Sequence, residues 1–460
     1  MNRPNKYGSN YGNRPTRVST YDIHPTSIKM IQQGNPWVTL DEYSERFHPN
    51  DRFIVALNGG KPFALLIHDP QHKNIRARLW SKNGNFEKQI KSFKADCTKR
   101  IDDAFRLRKT IKILEKRNNF YLAFGEGDNL PGLFIQYLNG EILIQHYTHF
   151  WDKFENFILE TIMKKMRDIF NVDIYKTQIW KQMRVDSEFA KLSPTCFDPN
   201  LSFKNIEINE YGVNYKLNLG SHYDVGLYTD MSSVRGRMEK EFKEAKSILN
   251  LYSYSGAFSL YGLKQGASDV VSVDLSENYL KWLDENIALN SDIDPSHHIS
   301  MCTPVKDALA ELSQKKKTFD LIICDPPSSS SDGEKRTNAL KDYEQILPQI
   351  DTLLNKDGKA VVFLNTHQIG RKKFQFKLHD IIKNKALKLK TSTFYGLSED
   401  CPSMPKFPEG SYLKGFLLER CENPLDEIRK VQNSPANRTP HNKKKPFKKN
   451  FRKKPVNGNR

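Results

Sequence analysis

Apolar and polar positions alternate along the chain in blocks of different period. Residues 52–57, 62–67 and 75–80 read as short strands, the first two separated by the turn formers Asn58-Gly59-Gly60. Residues 86–116 carry helical spacing and many charges. Strand patterning returns at residues 120–124, 133–137 and 141–145, with Asn139-Gly140 as a hairpin turn. A helical stretch over 151–170 follows, then a hairpin of residues 206–209 and 213–217 around Tyr211-Gly212. Beyond it, helical patterns alternate with near-continuous apolar runs at 248–251, 270–273, 319–324 and 360–364. Runs of that kind suit strands buried on both faces, so the pattern predicts an α/β fold with a parallel sheet. Residues 412–418, after the turn Pro408-Glu409-Gly410, read as an antiparallel last strand.

These blocks divide the chain into six parts. They are a disordered basic start (1–20), a β-rich module (21–83), a connecting helical segment (84–118), a central α+β domain (119–215), the α/β domain (216–422) and a disordered tail (423–460). The 460 residues carry a net charge of +18, placed unevenly. Residues 1–20 hold four basic groups and no acid, residues 428–460 twelve and no acid, which leaves about +2 for the body. Tails of this kind contact nucleic-acid phosphates, and Lys443, Lys444 and Lys445 are the densest cluster. The bland alternative is a solubilising tail. No run of about 18 apolar residues occurs, so no membrane span is expected. Residues 1–20 have no apolar segment of the kind a secretory signal carries. The six cysteines are scattered without a C-x-x-C pair, which points to reduced thiols in a cytosol and to no metal site.

The chemistry concentrates where apolar runs end. Leu249-Asn250-Leu251-Tyr252-Ser253-Tyr254-Ser255-Gly256 passes from strand to small-residue turn to helix, and the next strand closes on Asp274. The crevice at the carboxyl ends of such strands holds nucleoside-bearing cofactors, and a carboxylate there can accept from both ribose hydroxyls. Asp274 reads equally as the start of a helix. The strand 319–324 ends in Asp325-Pro326-Pro327, a rigid lip suited to a substrate edge. Asp307 could accept from an adenine amino group or cap a helix; Asp230 could help hold the charged end of a cofactor or cap one. Arg76 and Arg78 alternate with apolar residues and would present one basic face, for RNA or for solvent.

With these residues in place, the chain resembles the bacterial 23S ribosomal RNA large-subunit methyltransferases, which join an N-terminal PUA domain to a Rossmann-like class I S-adenosylmethionine domain. Five short motifs carry the resemblance in order over roughly residues 21–421. They are Asn35-Pro36-Trp37-Val38, Ile75-Arg76-Ala77-Arg78-Leu79-Trp80, residues 125–132, residues 250–259 and residues 407–415. The resemblance implies S-adenosylmethionine as cofactor and RNA, 23S or a large-subunit precursor, as partner. It places Tyr254, Ser255 and Gly256 at the methionine end, Asp274 at the ribose, Asp307 near the adenine, and Asp325 and Pro326 beside the methyl group. Asp230 and Arg235 fall in an altered copy of the family's Leu-Asp-Gln-Arg motif.

One departure bears on the reaction. Family members that make 5-methylcytosine carry a cysteine at the end of the strand after the Asp-Pro-Pro strand, because carbon 5 becomes nucleophilic only after a thiolate adds to carbon 6. Here that place reads Asn365-Thr366-His367. Related guanine-N7 methylating domains have a loop similar to residues 325–330 and need no covalent step. The expectation is therefore methyl transfer to a ring nitrogen, with Asp325, Pro326, Pro327 and Asn365 at the base and His367 nearby. Two alternatives stand beside it: cytosine-5 chemistry using Cys324, and an RNA-binding assembly protein whose methyltransferase domain is inactive.

Overall fold

In a computed structural model, which describes residues 18–173, 175–184, 192–327, 330–331, 336–337 and 339–433, the chain builds three main sheets in series. The first module comprises β1 (Ser19–Asp22), α1 (Pro25–Gln32), β2 (Trp37–Thr39), β3 (Phe53–Asn58), β4 (Lys61–His68) and β5 (Ile75–Ser81), in the order β1-β3-β4-β5-β2. Gly59 and Gly60, at φ 58° and 76°, turn β3 into β4. Ser19 and Thr20 pair with Ile54 and Val55, so the ordered module begins before the expected boundary at 21. The helices α2 (Phe86–Lys91) and α3 (Phe93–Thr110) connect it to the central domain.

The central sheet runs β6 (Asn119–Phe124), β7 (Leu133–Leu138), β8 (Glu141–His146), β9 (Ile179–Met183) and β10 (Thr195–Cys196), with α4 (Glu155–Lys165) between β8 and β9. One face of this sheet buries Ile135, Ile142 and Ile144 with Phe105 and Ile162 from α3 and α4. The hairpin β11 (Lys204–Glu210) and β12 (Val213–Leu219) forms its own two-stranded sheet and packs against both the central and the third domain. Val213, Tyr215 and Leu217 share a core with Leu280, Leu283 and Ile287. Lys216 N–H also donates to Asn286 at 2.8 Å. The hairpin therefore bridges the two domains at the expected boundary of 215.

The third domain follows as α5 (Ser232–Arg237), α6 (Glu239–Glu244), β13 (Ser247–Leu251), α7 (Ala257–Lys264), β14 (Asp269–Asp274), α8 (Glu277–Ala288), β15 (His298–Cys302), α9 (Val305–Gln314) and β16 (Phe319–Cys324). A short pair, β17 (Ser330–Ser331) and β18 (Arg336–Thr337), precedes α10 (Ala339–Leu353), β19 (Leu354–Asn365), α11 (Arg371–Asn384), β20 (Leu389–Tyr395), β21 (Leu413–Arg420) and α12 (Pro424–Asn433). The seven-stranded sheet has the order β15-β14-β13-β16-β19-β21-β20, parallel except for β21. Strand order reverses at β13, whose neighbours are β14 and β16, and ligands bind at such switch points. The helix α12 buries Ile428 against this domain, so the fold extends past the expected start of the tail at 423. Lys443, Lys444 and Lys445 lie outside the described residues.

The central and third domains are tied by buried charge. Asp400, in the loop between β20 and β21, accepts from Arg117 at 2.5 Å and from the Tyr121 N–H at 2.7 Å, and both side chains of the ion pair are fully buried. Arg108 grips Asp128 through two bonds of 2.6 and 2.5 Å and donates to the Asp400 carbonyl at 2.9 Å. Removing one partner of such a pair strands the other charge. Asp400→Ala is expected to lose about 3–5 kcal/mol of stability, read by urea denaturation. A loss below ~1 kcal/mol would mean that the tie is solvated in solution.

Candidate active site

The turn after β13 is held in an unusual conformation. Tyr252 and Tyr254 sit at φ 60° and 51°, a region that bulky side chains avoid, at a cost of about 1–3 kcal/mol each. Hydrogen bonds over-determine it. Ser253 N–H donates to the Val273 carbonyl at 2.9 Å, Tyr254 N–H to Asp274 Oδ2 at 2.9 Å and Gly256 N–H to the Ser253 carbonyl at 2.9 Å. The Ser255 hydroxyl donates to the Gly226 carbonyl, which pins the loop before α5 over the turn. Gly256 adopts φ 83°, and a Cβ there would meet Leu283 at 2.3 Å. Its smallness serves the packing of α7 on α8. Ser255 is likewise fully buried and holds structure.

Asp274 ends β14 half-exposed. Its Oδ1 accepts from Ser276 N–H at 2.9 Å and its Oδ2 from Tyr254 N–H, which leaves a free lone pair on each oxygen. Ser276, not Asp274, caps α8. The hydroxyls of Ser253 and Tyr254 are buried without a partner among the described residues. A carboxylate with two open acceptor positions beside two unpaired hydroxyls fits the ribose and methionine groups of S-adenosylmethionine. Asp307 stands exposed in the first turn of α9, whose cap position is Pro304.

The acid-proline lip follows β16. Asp325 is half-buried, Pro326 buried and Pro327 exposed. Burial pushes the Asp325 carboxyl up to about 7, with the Asp230 carboxylate adding to the shift and Arg235 opposing it. Asp230 is itself buried and raised by desolvation, although the Tyr412 hydroxyl donates to it at 2.5 Å. A cleft of about 1090 Å³, which Asp230 lines and residues 325–327 do not, draws on all three domains. The first module supplies Trp37 and Arg78, the central sheet Gln136, Gln145, Tyr147 and Arg184, and the third domain Asp230, Tyr254, Asn365 and His367. Asp230, Tyr254 and Asn365 are thus brought together, while Asp274 joins through Tyr254.

Two arginines have other duties than those expected. Arg78 is buried and donates to Asp69 at 3.1 Å, Glu126 at 2.7 Å and the Tyr147 carbonyl at 3.1 Å. It braces the first module against the central domain, its charge neutralised by the two carboxylates. Arg76 is half-buried and donates to the Pro70 carbonyl at 2.6 Å. Arg235 is buried and bound to Glu210 at 2.6 Å and to the Tyr228 carbonyl at 3.3 Å, so it holds the fold rather than a cofactor. Cys324 is fully buried in an apolar cluster, and burial pushes its thiol far up.

Two participants were missed. Lys414 is buried in β21, donates to the Thr366 carbonyl and is pushed down to about 8 by burial. It steadies the strand end that carries Asn365 and His367, and its signal was a single lysine within the apolar run 412–418. Trp37 donates to Glu126 at 2.8 Å and meets Phe407 and His367 edge-on at 4.8 and 6.3 Å. It closes the cleft from the first module.

Comparison with known proteins agrees with this geometry. A family model described as S-adenosylmethionine-dependent methyltransferase matches residues 177–419. The YwbD protein of Bacillus subtilis, whose name places it among ribosomal RNA large subunit methyltransferases, is 28% identical over 80% of this chain and 90% of its own. Ribosomal RNA large subunit methyltransferase I of Alteromonas mediterranea is 25% identical over 86% of this chain and 98% of its own. The solved structure of SMU.776 with SAH bound covers 87% of this chain and 100% of its own, with a TM-score of 0.73 at 18% identity, which supports the fold.

The raised Asp325 carboxyl has a consequence for stability. The unfolded chain ionises this group near 3.8 and the folded chain near 7, so the folded state loses stability as pH rises between the two. Asp325→Asn, without cofactor, is expected to be more stable than the parent protein at pH 8 by up to ~4 kcal/mol, since each tenfold change in an ionisation constant is worth about 1.4 kcal/mol. The two proteins should converge toward pH 4. An equal difference at both pH values in scanning calorimetry would remove the desolvated carboxyl from the account.

Proposed function

Because the chain belongs to the S-adenosylmethionine-dependent methyltransferase family, we propose that it methylates a base of large-subunit ribosomal RNA, at a ring nitrogen, guanine N7, rather than at carbon 5 of cytosine. The names of the YwbD protein and the Alteromonas enzyme support the ribosomal RNA substrate. The nitrogen rests on one observation. The strand end at the cleft carries Asn365-Thr366-His367, and the nearby Cys324 thiol is sealed in the core. A sealed thiol with a raised pKa is not the thiolate that carbon-5 chemistry requires. Guanine N7 has its own lone pair, and holding it in line supplies most of the rate.

Bound at the turn between β13 and α7, S-adenosylmethionine would supply an electrophilic methyl group on its sulfonium. Asp274 accepts from its ribose hydroxyls, and Ser253 and Tyr254 satisfy their unpaired hydroxyls on its polar groups. Asp307 stands on the adenine side. The lip Asp325-Pro326-Pro327 and the polar end Asn365 position the base, which leaves its stack to enter the cleft. N7 methylation leaves a purine cationic, and Asp230 and Asp325 offer carboxylates beside it. Lys443, Lys444 and Lys445 in the basic tail add phosphate attraction that weakens with salt.

Two measurements test the reading. Asp274→Ala should weaken S-adenosylhomocysteine binding by roughly tenfold to a hundredfold in calorimetry, on the scale of 1.5–3 kcal/mol for hydrogen bonds to a charged group. Cys324→Ala should keep its turnover within about threefold, and RNA containing 5-fluorocytosine should form no denaturation-resistant adduct with the parent protein. An adduct abolished by Cys324→Ala would establish the carbon-5 reaction instead.

A further inference from the structure

The outward face of the central sheet changes chemistry along its length. On β7, β8 and β9 the residues Leu138, Leu143 and Trp180 are buried in the core shared with the third domain. On the same face stand Gln136, two residues before Leu138, and Gln145 and Gln182, two residues after Leu143 and Trp180, with Gln145 opposite Gln182 and Gln136 diagonal to Gln145, all at most 5% exposed. Three amides in such a place are costly unless they are hydrogen-bonded. They bond to one another. Gln136 Nε2 donates to Gln145 Oε1 at 3.1 Å, and Gln145 Nε2 to Gln182 Oε1 at 2.8 Å.

The ladder is anchored at one end and open at the other. Gln182 Nε2 donates to the carbonyls of Leu192 and Tyr223 at 3.0 and 2.7 Å, and its oxygen also accepts from Arg184 at 2.9 Å. Arg184 in turn lies over the Tyr223 ring at 4.2 Å and reaches Asp224 at 3.3 Å. At the other end, Gln136 makes a single side-chain bond among the described residues, and both it and Gln145 line the cleft. The ladder fixes the Gln136 amide with its nitrogen toward Gln145, which leaves one N–H donor and the acceptor oxygen open side by side. Phe134 and Tyr147, paired at 4.7 Å, flank it on the same cleft wall.

We propose that Gln136, held in orientation by Gln145 and Gln182, is a specificity-determining residue that hydrogen-bonds to the edge of the nucleobase to be methylated. The proposal rests on the reading of the cleft as an RNA-base methylation site. An adjacent donor and acceptor is the pattern that a side-chain amide uses on base edges, and aromatic rings beside it suit a base removed from its stack. For guanine, an amide on the Watson–Crick edge accepts from N1–H and donates to O6, which leaves N7 free. The anchored ladder removes rotamer freedom from Gln136 before the base arrives, so a wrong edge meets a fixed, unpaired amide rather than an adaptable one.

The test uses full-length Gln136→Leu and Gln136→Glu, the second keeping the size of the side chain but not its donor. Methyl transfer is measured on the RNA that the parent protein modifies and on the same RNA with the target base replaced. The ratio of kcat/KM values is expected to fall roughly tenfold to a hundredfold in Gln136→Leu, while S-adenosylhomocysteine affinity and melting temperature stay at parent values. Gln136→Glu is expected to lose discrimination too, because an ionised carboxylate offers no donor. An unchanged ratio overturns the proposal, and so does an equal drop on both RNAs, which marks a structural role. Failure of the parent protein to methylate any RNA would sink the underlying site reading instead, and it is read before any variant is made.

Discussion

The cleft exists because a carboxylate is buried between two domains. Asp400, fully enclosed, is satisfied by Arg117 and by the Tyr121 backbone, while Arg108 holds its carbonyl. Dry ion pairs of this kind add little net stability, since desolvation consumes most of their attraction. Their value is geometric: a fully hydrogen-bonded charge tolerates only one arrangement of its neighbours. The loop that carries Asp400 also carries Phe407 to the first module and Glu409 to His367, and leads into Tyr412 and Lys414 at the strand end beside the candidate base site. One fixed loop therefore aligns the central sheet, the Trp37 wall and the strand ends at the candidate site.

Within that frame the polar groups divide into spent and unspent ones. Arg78, Arg235 and Ser255 are buried with their hydrogen bonds taken up inside the protein. Asp274, Ser253, Tyr254 and Gln136 keep unfilled positions, at the turn between β13 and α7 or on the cleft. Strain follows the same division, with both Tyr252 and Tyr254 left-handed in the turn that Asp274 steadies. A fold that retains this cost without a ligand would be hard to rationalise by stability alone.

Much of the scaffold was legible because it follows local rules. The turns at Gly59-Gly60, Asn139-Gly140 and Tyr211-Gly212 all have the left-handed backbone that such turns require. The apolar runs became the parallel strands β13, β14, β16 and β19. The edge strands β15 and β20 were missed, since β15 is largely exposed, β20 only partly buried, and neither shows a clean alternation. The hairpin β11–β12 was found, but its packing on α8 was not, because that helix lies some seventy residues on in the chain. Asp274 and Asp325 followed from strand ends. Arg78 and Arg235 misled because sequence shows a charge but not the acid, Glu126 or Glu210, that neutralises it from a distant segment. The glutamine ladder was invisible for a related reason, as its meaning depends on three strands lying side by side.

The central claim is that this site methylates a ribosomal RNA base without a covalent enzyme–base bond. The most direct measurement is mass-spectrometric mapping of modified nucleosides in large-subunit RNA from cells with and without the protein. The account predicts the loss of a single methylguanine modified at N7. Loss of a 5-methylcytosine would contradict it and require a thiolate that the observed position of Cys324 does not provide.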